Sequence, residues 1–302
     1  MNELLVRAVD SLAAGGACAL VAGGIALALS VRRPINLSML VAPGAAMLIG
    51  GSIGGISTSP PGWGIILLAI LGSIAGCCGI WWIIDQGIDR PMRKAAAPAP
   101  LLTAAAVLLI GLIVIERAAR LWPMDLSDLA SRRVVPAAGS LVVRLVGPLP
   151  LATWLIAAAA LGGLVLFLTR TRFGLAMRAV GYRPQTAGLL GINVERMIAV
   201  AMVIAAAVAA LGGLLYGMHQ GPLNGLALLR PGLISAAAIV AAGPHRPWAV
   251  VATALGLGTI ESYAAVALPA GAAMRDAILV IIAVVAILAR PADRRGDGVA
   301  TA

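Results

Sequence analysis

Residues 197–217 read MIAVAMVIAAAVAALGGLLYG, twenty-one consecutive positions without a charged side chain. At 1.5 Å per residue, a helix of that length covers about 30 Å, the thickness of the hydrocarbon core of a bilayer. No water reaches backbone N–H and C=O groups there, so each must be satisfied within its own segment, which a helix achieves. The run is therefore expected to span a membrane. Comparable apolar stretches are Ser11–Val31, Ile35–Ile56, Gly62–Ile84, Ala99–Ile115, Leu151–Thr169, Leu228–Ala242, Trp248–Leu268 and Met274–Ala289. The fold class is all-α, a polytopic transmembrane helix bundle of about eight or nine spans. Leu228–Ala242 is short and has Pro231 near its start. It is expected to be a broken or partial span, a form tolerated where protein or a water-filled cavity surrounds it.

Composition agrees. Of 302 residues 61% are hydrophobic and 11% charged, with mean hydropathy +1.01, whereas soluble domains are about 45–50% apolar and about 25% charged. Only 4% of residues are aromatic, while 36 are glycine, so the apolar mass consists of small side chains that let helix backbones approach closely. Pairs spaced by three residues recur on the spans: Gly50 with Gly54, Gly51 with Gly55, Gly72 with Gly76, and Gly213 with Gly217. Cys18, Cys77 and Cys78 lie inside apolar runs and read as small packing residues. The first run follows Glu3, Arg7 and Asp10 and is too long for a signal-peptide core, so it reads as the first span.

The net charge of +10 does not call for nucleic acid, because most Lys and Arg fall in short gaps between spans, where orienting charges belong. One alternation of sides collects Arg32–Arg33, Arg90–Lys94, Arg170–Arg196, Arg246 and the tail after Ala289 in the cytoplasm. That side then holds 14 of the 22 basic residues. Residues 1–290 read as one transmembrane domain, and 291–302 as a short disordered cytoplasmic tail. No GxxxxGK[ST] phosphate loop occurs, so any ATP hydrolysis belongs to another chain. His219 and His245 are far apart, and no nucleophile–base or metal-ligand spacing appears. No catalytic, cofactor-binding or metal-binding set is expected.

Between two spans lies a basic loop, 170–196, carrying Arg170, Arg172, Arg178, Arg183 and Arg196. Ala187–Leu190 reads as a short, weakly polar turn or helix, and Gly191 followed by Asn193 as a helix end and a new cap. The stretch FGLAMRAVG (173–181) followed by AGLLGINVER (187–196) resembles the cytoplasmic coupling region of permease subunits of branched-chain amino acid ABC transporters. The matching positions are Gly174, Ala176, Arg178 and Ala179; Ala187, Gly191, Ile192 and Arg196; and, in the next span, Ala209, Gly212 and Gly213. Ile35-Asn36, Asp89-Arg90-Pro91-Met92-Arg93 and Leu255–Glu261 match further elements of the family pattern. The Arg-Pro-x-Arg element resembles that of the first of the two permease types. The chain departs at Leu37–Leu40, at Arg183–Thr186 and at Ala241–His245, which bears on substrate and partner choice more than on fold.

The resemblance implies a permease subunit of an ATP-driven importer for branched-chain or related small amino acids, moving by alternating access in a bacterial plasma (inner) membrane. It implies ATP-binding cassette ATPase subunits, a second permease subunit, identical or related, and an extracytoplasmic solute-binding protein as partners. The ATPase-coupling residues it implies are Gly174, Arg178, Ala187, Leu190, Gly191, Ile192 and Arg196. Asn36 and Glu261 are candidate pathway residues. An ionisable group inside a span is costly and by default functional; for Glu261 the alternative is a structural hydrogen bond, for instance to Ser262. A competing function is a stand-alone secondary transporter with Glu261 as its ion-coupled carboxylate. Glu116 and His219 lie at span ends, within reach of the interface, and Trp81, Trp82 and Trp122 read as interfacial anchors.

Overall fold

The computed structural model describes residues 2–31, 37–55, 63–84, 86–87, 109–118, 148–219, 227–243 and 246–267, and single positions at 277, 281, 284 and 285. Among these every regular element is helical. Helices α1 (Asn2–Val31), α2 (Ala42–Gly55, entered through a 3₁₀ turn at Leu37–Val41) and α3 (Trp63–Ile84) come first. A helical stretch over 109–118 follows. The second half carries α4 (Pro148–Arg170), α5 (Arg172–Tyr182), α6 (Pro184–Leu189), α7 (Val194–His219), α8 (Arg230–Ala242) and α9 (Pro247–Ala267). Helix α1 starts nine residues before the apolar run at Ser11. Asn36, the 89–93 loop, Trp122, His245, most of the last predicted span and the 291–302 tail lie outside the described residues.

Ala8–Val31, Gly64–Ile84, Pro150–Arg170 and Val194–His219 are each long and apolar enough to cross a bilayer. Helix α8, at 13 residues, is about 20 Å long and falls short of the hydrocarbon core, so it is a half-span. That matches the reading of Leu228–Ala242 as broken.

Helix α1 is the centre of the bundle, ringed by α9, α7, α4, α8 and α5. Its Ala17, Leu20, Val21 and Ala22 are fully buried, which is why a helix with so many small residues can sit inside. Glycine makes the crossings possible. A Cβ on Gly24 would lie 2.6 Å from the Ala205 carbonyl oxygen of α7, and one on Gly15 2.7 Å from the Leu255 carbonyl oxygen of α9. The predicted small-residue pairs act likewise: Gly76 faces Ile49, Gly72 faces Ile53, and Gly213 seats on Pro43. In a medium as apolar as the side chains, such backbone proximity is what dispersion needs to hold helices together.

The periphery is the reverse. Leu67, Leu71 and Ile83 of α3, and Leu155 and Leu166 of α4, are all more than half exposed, an outer face suited to lipid. Several hydroxyls inside helices bond their own preceding turn, as Ser73 to the Ala69 carbonyl (2.7 Å) and Ser235 to that of Pro231 (2.6 Å), and so are satisfied without water. The cysteines behave as packing residues: Cys77 donates to the Ala42 carbonyl across the α2–α3 contact, and Cys18 abuts Gly258.

Candidate functional site

Two constructions stand out from the apolar bundle: a helical elbow outside it and a polar cluster inside it. The elbow begins where α4 stops. Thr171 caps α5, its Oγ1 accepting the Gly174 N–H at 3.0 Å while donating to the Phe167 carbonyl at 2.6 Å. One hydroxyl thus ends one helix and starts the next. Gly174 sits inside this corner, where any Cβ would run into the Phe167 carbonyl oxygen, so only glycine fits the family position.

Helix α5 is amphipathic. Gly174, Met177 and Val180 are buried, at the i, i+3, i+6 spacing of one helix face. Phe173, Leu175, Arg178 and Tyr182 are exposed. Burying Met177 and Val180 contributes about 1.5–3 kcal/mol each, which pins α5 to the bundle end. Its far end is pinned more closely: a Cβ on Gly181 would collide with the Ser30 carbonyl oxygen at the end of α1. The elbow therefore presses directly on the central helix.

Pro184 opens α6, where its missing N–H costs nothing, and Gly191 closes it with φ +82°. The Gly191 N–H bonds the Gly188 carbonyl (3.0 Å) and the Ile192 N–H bonds that of Ala187 (3.1 Å), the two bonds of a Schellman terminus. Asn193 then caps α7, its Oδ1 accepting the Arg196 N–H at 3.0 Å. The helix end and new cap expected from Gly191 and Asn193 are both present. The outcome is a rigid apex. Ala187 is 2% exposed and belongs to the core, and Ile192 packs against that core. Leu189 and Leu190 stand out at 89% and 76% exposed. Of the candidate coupling residues, Gly174, Ala187 and Ile192 hold the elbow to the bundle, Gly191 shapes it, and Arg178, Leu190 and Arg196 face outward.

The second construction joins α7, α8 and α9. Glu261, 2% exposed, accepts hydrogen bonds at Oε2 from the Tyr216 hydroxyl (3.2 Å) and the Ser262 hydroxyl (3.3 Å). A guanidinium nitrogen of Arg230, the first residue of α8, lies 4.0 Å from Oε1. The Ser262 contact was expected; Arg230 and Tyr216 were not. The signal was there, since Arg230 and Glu261 are ionisable residues of opposite sign in consecutive apolar segments, and charges within spans pair. The cluster anchors the start of the half-span. Roughly 30 Å of α7 separates it from the elbow. Nearby at the end of α7, His219 Nε2 lies 2.9 Å from Thr153 Oγ1 of α4.

Comparison with known proteins places this arrangement. The family described as "Branched-chain amino acid transport system / permease component" matches residues 7–287. The high-affinity branched-chain amino acid transport system permease protein BraD of Pseudomonas aeruginosa is 26% identical, covering 95% of this chain and 94% of its own. LivH of Salmonella typhimurium, a permease protein of the same description, is 25% identical over 73% of this chain and 72% of its own. A nucleoside ABC transporter permease protein, NupB of Lactococcus lactis, shares 38% identity over a short segment, 21% of this chain and 17% of its own. No solved structure gives a significant match. With an all-helical apolar bundle and a match spanning nearly its whole length, the chain is a multi-pass membrane protein of the family of branched-chain amino acid transport permease components.

Proposed function

We propose that this permease component serves an ATP-driven importer of branched-chain or related small amino acids in a bacterial inner membrane. A separate ATP-binding cassette ATPase docks on the elbow, a second permease subunit completes the pathway, and an extracytoplasmic binding protein delivers the solute. The observation that carries this reading is the exposed apolar apex Leu189–Leu190, which is fixed by the Gly191 terminus and braced on α1 through Gly181. Two adjacent leucines left almost fully exposed on a turn held by helix termini form an apolar apex suited to cover by a protein partner. Motion of that partner reaches the transmembrane core directly, because α5 abuts the end of α1, and α1 packs against α7, α8 and α9. Rigid-body rocking of helices is the economical outcome, since a packed interior shifts as units rather than deforming.

Branched-chain substrates are supported by the descriptions of LivH and BraD. The ion-coupled alternative loses ground for a physical reason: Glu261 is held by Tyr216, Ser262 and Arg230, so a coupling ion would have to displace these contacts. The test is co-purification of the ATPase with the tagged permease. Leu189→Glu and Leu190→Glu are expected to abolish recovery of the ATPase while leaving the permease's thermal midpoint unchanged. Undiminished recovery would refute the docking role. Gradient-driven uptake by this chain alone in proteoliposomes, lost in Glu261→Gln, would replace the importer by the secondary transporter.

A further inference from the structure

A cleft of about 650 Å³ lies between α4 and α9, with α1 as its floor and α5 across one end. Its size falls within the roughly 300–1,000 Å³ typical of small-molecule sites. Its wall is divided by polarity along its length. The deep end is formed by Gly23 of α1, Leu161 and Leu164 of α4 and Val251 of α9. Gly23 keeps it open, since a Cβ there would touch Leu161 at 3.0 Å and Val251 at 3.5 Å. The end beside the elbow carries Arg178, Tyr182 and Trp248, all exposed. Among the described residues, none that lines the cleft is acidic.

From Gly23 to Val31 on α1, and from Leu161 to Thr169 on α4, the cleft follows nine residues of helix, about 12 Å. That is close to half the roughly 30 Å hydrocarbon core, the depth of one leaflet. Helix α4 presents exposed Leu155 and Leu166 beside it, so the cleft opens on a lipid-facing side of the bundle. A largely apolar slot about one leaflet long, ending in an arginine and two exposed amphipathic aromatics, fits one class of occupant.

We infer that this cleft binds an anionic phospholipid, with one acyl chain between α4 and α9 and the phosphate at Arg178. A basic site between helices at the membrane surface is the chemistry that selects an anionic headgroup. Tyr182 and Trp248, both exposed at that end, are amphipathic rings of the kind that prefer the headgroup level. Because Arg178 belongs to α5, the lipid bridges the elbow and the bundle and stiffens the joint through which the ATPase would act. Assigning the lipid to the cytoplasmic leaflet rests on the proposed placement of the elbow. The ATPase co-purification reads that placement without reference to lipid, so the two ideas fail separately.

The experiment is native mass spectrometry of the full chain purified in detergent with equimolar dioleoyl phosphatidylglycerol and dioleoyl phosphatidylcholine. The wild type is expected to retain one phosphatidylglycerol in preference. Arg178→Gln is expected to cut that preference about fivefold, the effect of one cation at an anionic surface, and Leu164→Trp to abolish retention of both lipids by filling the slot. Should Leu164→Trp fail to fold, phosphatidylglycerol brominated on its acyl chains provides the second measurement. It is expected to quench a component of tryptophan fluorescence that Trp248→Phe removes. Equal retention of the two lipids by the wild type, unchanged retention in Leu164→Trp, quenching unaltered by Trp248→Phe, or a second copy of the chain displacing lipid would each overturn the inference.

Discussion

At Glu261 a carboxylate 2% exposed to solvent faces the Arg230 guanidinium at 4.0 Å and takes two hydroxyl hydrogen bonds. Two ions removed from water gain little as a pair over apolar side chains of the same shape, but either one left alone is strongly destabilising, by about 3–5 kcal/mol. Glu261→Gln is therefore expected to lower the thermal midpoint of the detergent-solubilised permease by roughly 10 °C. The double replacement Arg230→Leu with Glu261→Leu should recover most of that loss, read by thermal unfolding followed with size-exclusion chromatography. A double variant as unstable as the single one would show that the contacts, rather than the charges, matter. The same residues mark a limit of reading sequence alone. Glu261 is conspicuous as a charge within a span, but Arg230 and Tyr216 come to it from two other helices, 31 and 45 positions back, and only tertiary packing brings them together.

At the scale of elements, the corner between α4 and α5 should tolerate no side chain at Gly174, whose Cβ would meet backbone on the preceding helix. Backbone cannot step aside as a flexible side chain can. Gly174→Val is expected to unseat α5, exposing the buried Met177 to proteolysis and to oxidation, while the spans remain inserted. Limited proteolysis in sealed vesicles checks this, and an unchanged cleavage pattern would contradict it. The Gly191 terminus and the Asn193 cap are local chemistry and could be read along the chain, because caps and left-handed glycines depend on neighbours in sequence; α5 itself lay in what reads as a basic loop. The half-span α8 was legible for the same reason, from its length and Pro231. What escaped was direction. Nothing local distinguishes Ala187, turned inward at 2% exposure, from Leu190, turned outward at 76%; a six-residue helix has too few turns for periodicity to choose a face.

Over the whole molecule, close packing among the described residues is concentrated on α1 and sparse on the exposed sides of α3 and α4. Gly24 meets α7 backbone, whereas a Cβ on Gly163 of α4 would have nothing within 4 Å. Gly24→Val is accordingly expected to abolish the folded monodisperse protein, and Gly163→Ala to be neutral or slightly stabilising, by up to about 1 kcal/mol from helix propensity; fluorescence-detected chromatography after heating compares them. The same architecture fixes a test of orientation. Arg170–Arg196 carries five of the chain's basic residues, and the bias of such charges sets which loops stay in the cytoplasm. The native cysteines complicate labelling little, because Cys18 and Cys77 are buried and only Cys78 is half-buried, so a Cys78→Ala background suffices. A cysteine introduced at Leu189, 89% exposed, should then react with a membrane-impermeant maleimide only after intact cells are opened. Reaction in unopened cells would put the apex on the outer face, where no ATPase could reach it. The path from elbow to central helix would then have no motor to drive it.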